Sequence, residues 1–261
     1  LDKLCKNNHE ILIHLISLDH NKSNNDPNYV NSINVMPTWN LLNRLTEIGL
    51  EKFIYFSTIQ VYGELNKPNI DESYKTNPQN YYGLTHLLSE NICNHFNLTS
   101  KTQCINLRLS NSYGSPVFVE NNCWWLVLND FCKSSFESNE IKILSDGSPA
   151  RDFIHYFDIC DAVQKIIEVG SNNMKDKNTF NISSGLTLTI SDIANKVKEV
   201  YQNRYKSSLN VTFNKSPIEK MEGKIINIIN NDRIKSLGFS PKIDLERGIN
   251  EVFNYLENKS E

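Results

Sequence analysis

Tyr82 and His86, in the stretch "NPQNYYGLTHLLSEN", stand four residues apart. On a helix that spacing puts the phenol and the imidazole on one face. Both are groups that move protons, although an ordinary helix surface can carry the same pair without any chemistry. Free tyrosine ionises near pH 10, so phenolate is scarce at neutral pH. A cation about 4 Å away is worth about 4 kcal/mol at an effective dielectric near 20, roughly three pKa units. Histidine, with an ordinary pKa near 6.5, is mostly neutral at about pH 7. A charged His86 beside a phenolate would titrate with it as one unit. Glu90, one turn further along, would favour that charged form. If His86 is simply hydrogen-bonded to Glu90, it is a residue of a helix face and the site is weak or inactive.

The elements that must position this pair are readable from hydrophobic period. "EILIHLISL" (10–18) is a nearly continuous apolar run, the pattern of a parallel strand covered on both faces. The 28–50 segment carries Val30, Ile33, Leu41, Leu42, Leu45 and Ile48 at helical intervals, with a kink expected at Pro37. "KFIYFS" (52–57) and "QCINLRLS" (103–110) read as buried strands, with a helix from Tyr81 to about Asn97 between them. This alternation predicts right-handed crossovers in a doubly wound α/β sheet. After Ser110 come an aromatic loop, a helix in "NDFCKSSFES", strands in "IKILSDG", "TFNISSG" and "SLNVTFN", and two helices. The first of these helices (188–202) is expected to be capped by Ser191, and the second closes the chain in "DLERGINEVFNYLENK".

Short motifs occur along this frame in a fixed order: "HLIS" from His14, Asn34 in "NVMPTWNLL", "STIQVYG", "YGLTH", "RLSNSYG" and "RDFIHYFD". Ser57 and Thr58 stand at the end of a strand, where open α/β sheets form their ligand crevice. Together the motifs resemble those of the extended short-chain dehydrogenase/reductases, in the NAD-dependent nucleotide-sugar epimerase/dehydratase group. The likeness runs from about Ile11 to the C-terminus. It implies a Rossmann-type parallel sheet over 1–115, with parts of 150–185 returning to it. It also implies a smaller C-terminal α/β substrate lobe over 116–261.

By that resemblance Tyr82 is the acid/base on a sugar hydroxyl, Thr58 hydrogen-bonds the reacting oxygen, and His86 stands where the family has lysine. Leu15, Ile16, Ser17, Asn34 and Ser57 line the cofactor side together with Tyr82 and His86. Asn111 and Arg151 meet the substrate phosphates, a role suited to a guanidinium fork. From the residues alone, Thr58 and Asn111 read equally as turn caps and Arg151 as a salt-bridge partner of Asp152 or Asp158. Trp124 and Trp125 read as pocket lining or as core packing. The expected cofactor is NAD or NADP and the partner a nucleotide-diphosphate sugar. A homodimer through a four-helix bundle involving the helices from Tyr29 and Tyr81 is also implied. The family's dehydratases carry an Asp-Glu pair after the threonine, whereas here Ile59 and Gln60 follow it. The expected chemistry is therefore 4-epimerisation or 4-ketoreduction rather than elimination of water. A catalytically silent member that binds NAD(H) or nucleotide-sugar is the alternative.

Two departures stand out. One is His86 itself, and the other is the pyrophosphate loop. No G-x-x-G-x-x-G occurs in the sequence, which begins where the family's fourth strand is about to start. The expectation is a truncated sequence, with a naturally shortened protein or an inactive fragment as alternatives. The bulk composition is that of a globular protein: 39% apolar, 22% charged, with 27 basic against 30 acidic residues. It shows neither a basic block for nucleic acid nor an apolar run long enough for a bilayer, so a cytoplasmic protein without nucleic-acid or membrane partners is expected. The six cysteines lack metal-ligand spacing and are expected to be reduced core residues, with no metal bound.

Overall fold

The computed structural model describes residues 9–118, 120–170, 177–215 and 226–260. In chain order its elements are β1 (Ile11–His14), α1 (Pro27–Asn34), α2 (Met36–Leu45), β2 (Lys52–Thr58), β3 (Asn69–Ile70), α3 (Tyr81–Thr99), β4 (Gln103–Leu109) and β5 (Asn111–Tyr113). There follow α4 (Val127–Ser138), β6 (Glu140–Ile143), β7 (Ala150–His155), α5 (Tyr156–Glu168), β8 (Thr179–Ile182), β9 (Thr187–Thr189) and α6 (Ile190–Tyr205). The last are β10 (Asn210–Phe213), β11 (Ile228–Ile229), α7 (Asp232–Lys235) and α8 (Leu245–Ser260).

Contacts divide the chain into two compact units. The first comprises Leu1–Leu109, Val163–Ile182 and Asn230–Gly238, and the second the remainder. The first unit carries an all-parallel sheet in the order β1-β2-β4-β8, with Phe53 beside Leu12 and Cys104, and Leu107 beside Phe180. This is the parallel α/β architecture expected from strand–helix alternation. Because side chains alternate along a strand, Phe53 and Tyr55 share one face. There they pack with Leu42 and Leu45 of α2 and Ile92, Cys93 and Phe96 of α3. Lys52 opens β2 and donates its Nζ protons to the carbonyls of Ile166, Ile167 and Val169 at 2.8, 3.2 and 3.0 Å. A buried ammonium is thereby placed on the negative end of α5.

A second buried ion pair ties the sheet to α3. Arg108 of β4 donates to Glu90 from Nη2 to Oε2 at 2.7 Å and from Nε to Oε1 and Oε2 at 3.0 and 3.3 Å, and Ser57 Oγ donates to Oε1 at 2.5 Å. The Arg108 guanidinium lies over the Tyr62 ring at 4.8 Å. Both ionic side chains are almost fully buried. Removing one partner leaves the other charge uncompensated. Glu90→Ala is therefore expected to lower unfolding stability by about 3–5 kcal/mol, measured by denaturant titration.

The second unit has its own core. Tyr113, Phe131, Ile141, Val197, Tyr201 and Phe253 belong to one buried cluster drawn from a sheet residue and helices α4, α6 and α8, with β6 included. Its strands pair as β5-β7-β9 and β10-β6.

Several boundaries differ from the periodic reading. The first strand ends at His14, not Leu18. Ile13 is exposed within it, and Leu15 and Ile16 are exposed beyond its end. The 28–50 helix is two helices parted at Val35, and Pro37 falls in the first turn of the second, where its missing N–H is not needed. The 188–202 helix is capped by Thr189, not Ser191. Thr189 and Asp192 form a reciprocal capping box, the Thr189 hydroxyl accepting from the Asp192 N–H. Cys93, Cys104, Cys123 and Cys132 are free and buried and Cys160 is free and exposed, while Cys5 lies outside the described residues. Among the described residues no helix is long and apolar enough to cross a membrane.

Candidate active site

Thr58 ends β2 and caps the short 3-10 turn Ile59–Tyr62, its Oγ1 accepting the Gln60 N–H at 3.2 Å. The start of α3 is fixed to that turn. Asn80 caps the helix by accepting the Gly83 N–H at 2.8 Å, and its amide donates to Gln60 Oε1 at 3.0 Å. Gln60, at a position where the dehydratase branch carries a carboxylate, is thus an anchor for the helix start. Gly83 permits the approach. A Cβ there would lie 2.6 Å from the Gln60 carbonyl oxygen, a backbone atom that cannot step aside. Thr58 and Tyr82 are brought together by this docking, with the Thr58 hydroxyl near enough to the phenol to favour its ionised form. Gly83→Ala is expected to displace Tyr82, costing about 1–3 kcal/mol of stability as overpacking does and at least about tenfold in turnover. A thermal melt paired with a rate measurement checks both.

Burial pushes the Tyr82 phenol up to about 12; the Thr58 hydroxyl opposes this and the nearby Asp19 carboxylate adds to it. No charged group at position 86 counters the burial. His86 is buried, and its ring meets Tyr82 edge-on with centroids 4.5 Å apart. Tyr55 OH lies 2.8 Å from its Nδ1 and Ser17 Oγ lies 3.2 Å from its Nε2. Ser17 Oγ gives its own proton to the Leu18 carbonyl at 2.8 Å. It therefore accepts from Nε2–H; with the ring kept neutral by its burial, Tyr55 donates to Nδ1, the Nε2-protonated tautomer. Burial, assisted by His14, lowers the His86 pKa to about 4. Both His86 nitrogens are bonded within the protein. One reading of the sequence is corrected here: Glu90 belongs to Arg108 and Ser57 rather than to His86.

Asn34 is fully buried and holds the loop after β1 onto α3. Its Oδ1 accepts the Leu18 N–H at 2.7 Å, and its amide donates to Thr85 Oγ1 at 3.0 Å and Ser23 Oγ at 3.3 Å. Ser57 is spent on Glu90. Leu15 and Ile16 follow β1 as exposed apolar side chains.

The remaining two candidates lie in the second unit. Asn111, in β5, donates its amide to the Asp152 carbonyl at 3.0 Å. Arg151, in β7, is exposed, and its Nη1 reaches only the Ala150 carbonyl, at 2.9 Å, among the described residues. The expected alternative of a salt bridge to Asp152 or Asp158 is not formed. Asp152 is instead buried under five donors: Ser110 Oγ, Ser184 N and Oγ, Gly185 N and Leu186 N, at 2.6–3.1 Å. Asp158 accepts the backbone N–H groups of Lys242 and Ile243. Trp124 packs against the core of this unit, whereas Trp125 is exposed.

A nicotinamide cofactor fits this set of residues in part. The bare apolar side chains of Leu15 and Ile16 suit a planar ring. The two bonded nitrogens of His86 leave no free donor for a ribose.

A parallel α/β sheet with a threonine at a strand end, beside a tyrosine in the first turn of the next helix, defines a Rossmann-type protein of the short-chain dehydrogenase/reductase kind. The sequence profile of the NAD dependent epimerase/dehydratase family matches residues 1–183, and the chain belongs to that family. Among curated relatives it is 24% identical to the UDP-glucose 4-epimerase of Rhizobium meliloti over 90% of this chain and 73% of that one. It is 24% identical to the dTDP-D-glucose 4,6-dehydratase of Mus musculus, over 85% and 60% respectively. Among solved structures, the UDP-glucose 4-epimerase of Thermotoga maritima with UDP-glucose superposes with a TM-score of 0.78 at 25% identity, over 97% of this chain and 78% of that one.

Proposed function

We propose that the chain acts on nucleotide-diphosphate sugars as an NAD(P)-dependent 4-epimerase or 4-ketoreductase, with Tyr82 transferring the proton. The observation that carries this reading is the Thr58–Tyr82 pair, held in place by Asn80, Gln60 and Gly83 with no carboxylate at 59 or 60. The bound nicotinamide would give or take the hydride. The first unit is assigned to the dinucleotide, with Leu15 and Ile16 against its ring. The second unit is assigned to the sugar nucleotide, with Arg151 free to clamp a phosphate.

At neutral pH, Tyr82 with a pKa of about 12 is a phenol. In that form it is ready to donate a proton to a carbonyl oxygen, while Thr58 holds that oxygen in place. This protonation state favours the reductive half of the chemistry. The exposed apolar residues Tyr29, Trp39, Leu84 and Leu88 on α1–α3 support a homodimer.

The seal around His86 favours a second reading, a silent member that binds a ligand without turnover. The test is to supply NAD(H) or NADP(H) with UDP- and dTDP-hexoses and follow the sugar by NMR. Conversion that disappears in Tyr82→Phe supports the enzyme. Ligand binding without conversion, in the native chain and in His86→Lys alike, supports the silent member.

A further inference from the structure

Tyr82 lies against two imidazoles, and they differ in access to water. His86 is enclosed, with both nitrogens bonded. His20 comes from the loop after β1. It is exposed, and its ring stands edge-on to Tyr82 with centroids 6.1 Å apart. The loop that carries it is built into the fold rather than loosely draped. Leu18 N–H bonds to Asn34, Ser23 N–H bonds to the Asp19 carbonyl at 2.9 Å, and the Asn24 amide reaches the His20 carbonyl at 3.4 Å. Since Asn34 also grips Thr85 in α3, His20 and Tyr82 are referenced to the same helix.

The polar groups that face Tyr82 come from every neighbouring element. Thr58 and Tyr55 belong to β2, His86 to α3, and Asp19 and His20 to the loop. Thr58 and Tyr55 are neutral hydroxyls, His86 is a neutral ring held by two hydroxyls, and Asp19 is an anion. Among these described neighbours, His20 is the imidazole in contact with solvent.

Building on the assignment of Tyr82 as the proton-transferring group, we propose that His20 is its positioning residue, supplying the positive charge that residue 86 withholds and connecting the phenol to bulk water. When Tyr82 gives its proton to a substrate oxygen, the phenolate left behind faces the His20 imidazolium. One proton then passes from His20 to the phenolate, and His20 takes one back from water. The cycle balances without any oxidant or reductant.

The test reads Tyr82 directly and does not depend on turnover. In the full chain, 2,3,5-trifluorotyrosine is placed at position 82, because its more acidic phenol ionises closer to neutral pH. Its ionisation is followed by absorbance. His20→Ala is expected to raise the half-ionisation pH by about one unit, allowing for solvent screening of an exposed charge about 6 Å away. His20→Lys brings it back down, and His95→Ala, exposed elsewhere on α3, leaves it unchanged. An identical titration in His20→Ala and the native chain overturns the proposal. Turnover is measured separately across pH. If the titration shifts but no nucleotide sugar is converted, the His20 pairing stands and the enzymatic reading of the site fails. If sugar is converted while His20→Ala alters neither the titration nor the pH profile, the pairing fails and the enzymatic reading stands.

Discussion

His86→Lys is expected to raise Tyr82-dependent turnover and to lower stability at the same time. An ammonium about 4 Å from the phenol is worth roughly three pKa units at an effective dielectric near 20. It would bring Tyr82 from about 12 toward the ordinary range and enrich phenolate by up to about 10³-fold at neutral pH. The same ammonium would sit where a neutral ring now exchanges bonds with Tyr55 and Ser17. Two hydroxyls can accept its protons, but nothing in the local bonding supplies an anion, since Glu90 is committed to Arg108. The cost is that of an underpaired buried charge, on the order of 3 kcal/mol. Steady-state kinetics and a denaturant titration on one preparation read both effects. A variant that is less stable and no more active would show that position 86 does not govern the tyrosine.

Acid is expected to unfold the protein in a window set by its buried histidines. His14 and His86 are each held at about 4 against an ordinary 6.5, chiefly by burial. With folded values lower than unfolded ones, the unfolded chain binds more protons between about pH 6.5 and about pH 4, so stability is complete above that window and falls as pH drops through it. At about 1.4 kcal/mol per pH unit, each histidine removes on the order of 3 kcal/mol by about pH 4. His14 bonds Thr38 Oγ1 at 3.1 Å, and Thr38 continues to Ser89 at 3.3 Å, so charging the ring also disturbs the α2–α3 contact. The unfolding free energy of the native chain should therefore slope steeply over this range, and that of the His14→Asn/His86→Gln double variant should slope less. His155, whose pKa burial also lowers, leaves a residual slope. Equal slopes in the two proteins would contradict the assignment of neutral buried rings.

The sequence shows the frame of this site more clearly than its wiring. Strands β2 and β4 and helix α3 are legible because each buries a continuous run or a regular stripe, and the order of short motifs then identifies Thr58 and Tyr82. What surrounds His86 is not legible, because Tyr55 and Ser17 lie 31 and 69 residues away in sequence and meet it only through packing of α3 on the sheet. Tyr55 reads as one more aromatic in an apolar strand, and its hydroxyl gives no sign of a partner. Apolarity overstates β1: Leu15 to Leu18 look like strand, but Asn34 takes the Leu18 N–H and draws the chain into a loop. Thr189 could have been found, since Thr-x-x-Asp before an apolar stripe is a capping pattern; Ser191 is two positions too late. His20 carries no motif, and only its ring contact with Tyr82 reveals it.

In place of the family's lysine stands a neutral imidazole that orders the site without charging it. Long-range 15N–1H correlation of the His86 ring, assigned through His86→Gln, measures this directly. The expected spectrum is that of a neutral ring protonated at Nε2, unchanged from about pH 8 to about pH 5. An imidazolium at about pH 7, with both ring nitrogens protonated, would contradict the account and make His86 itself the cation beside Tyr82.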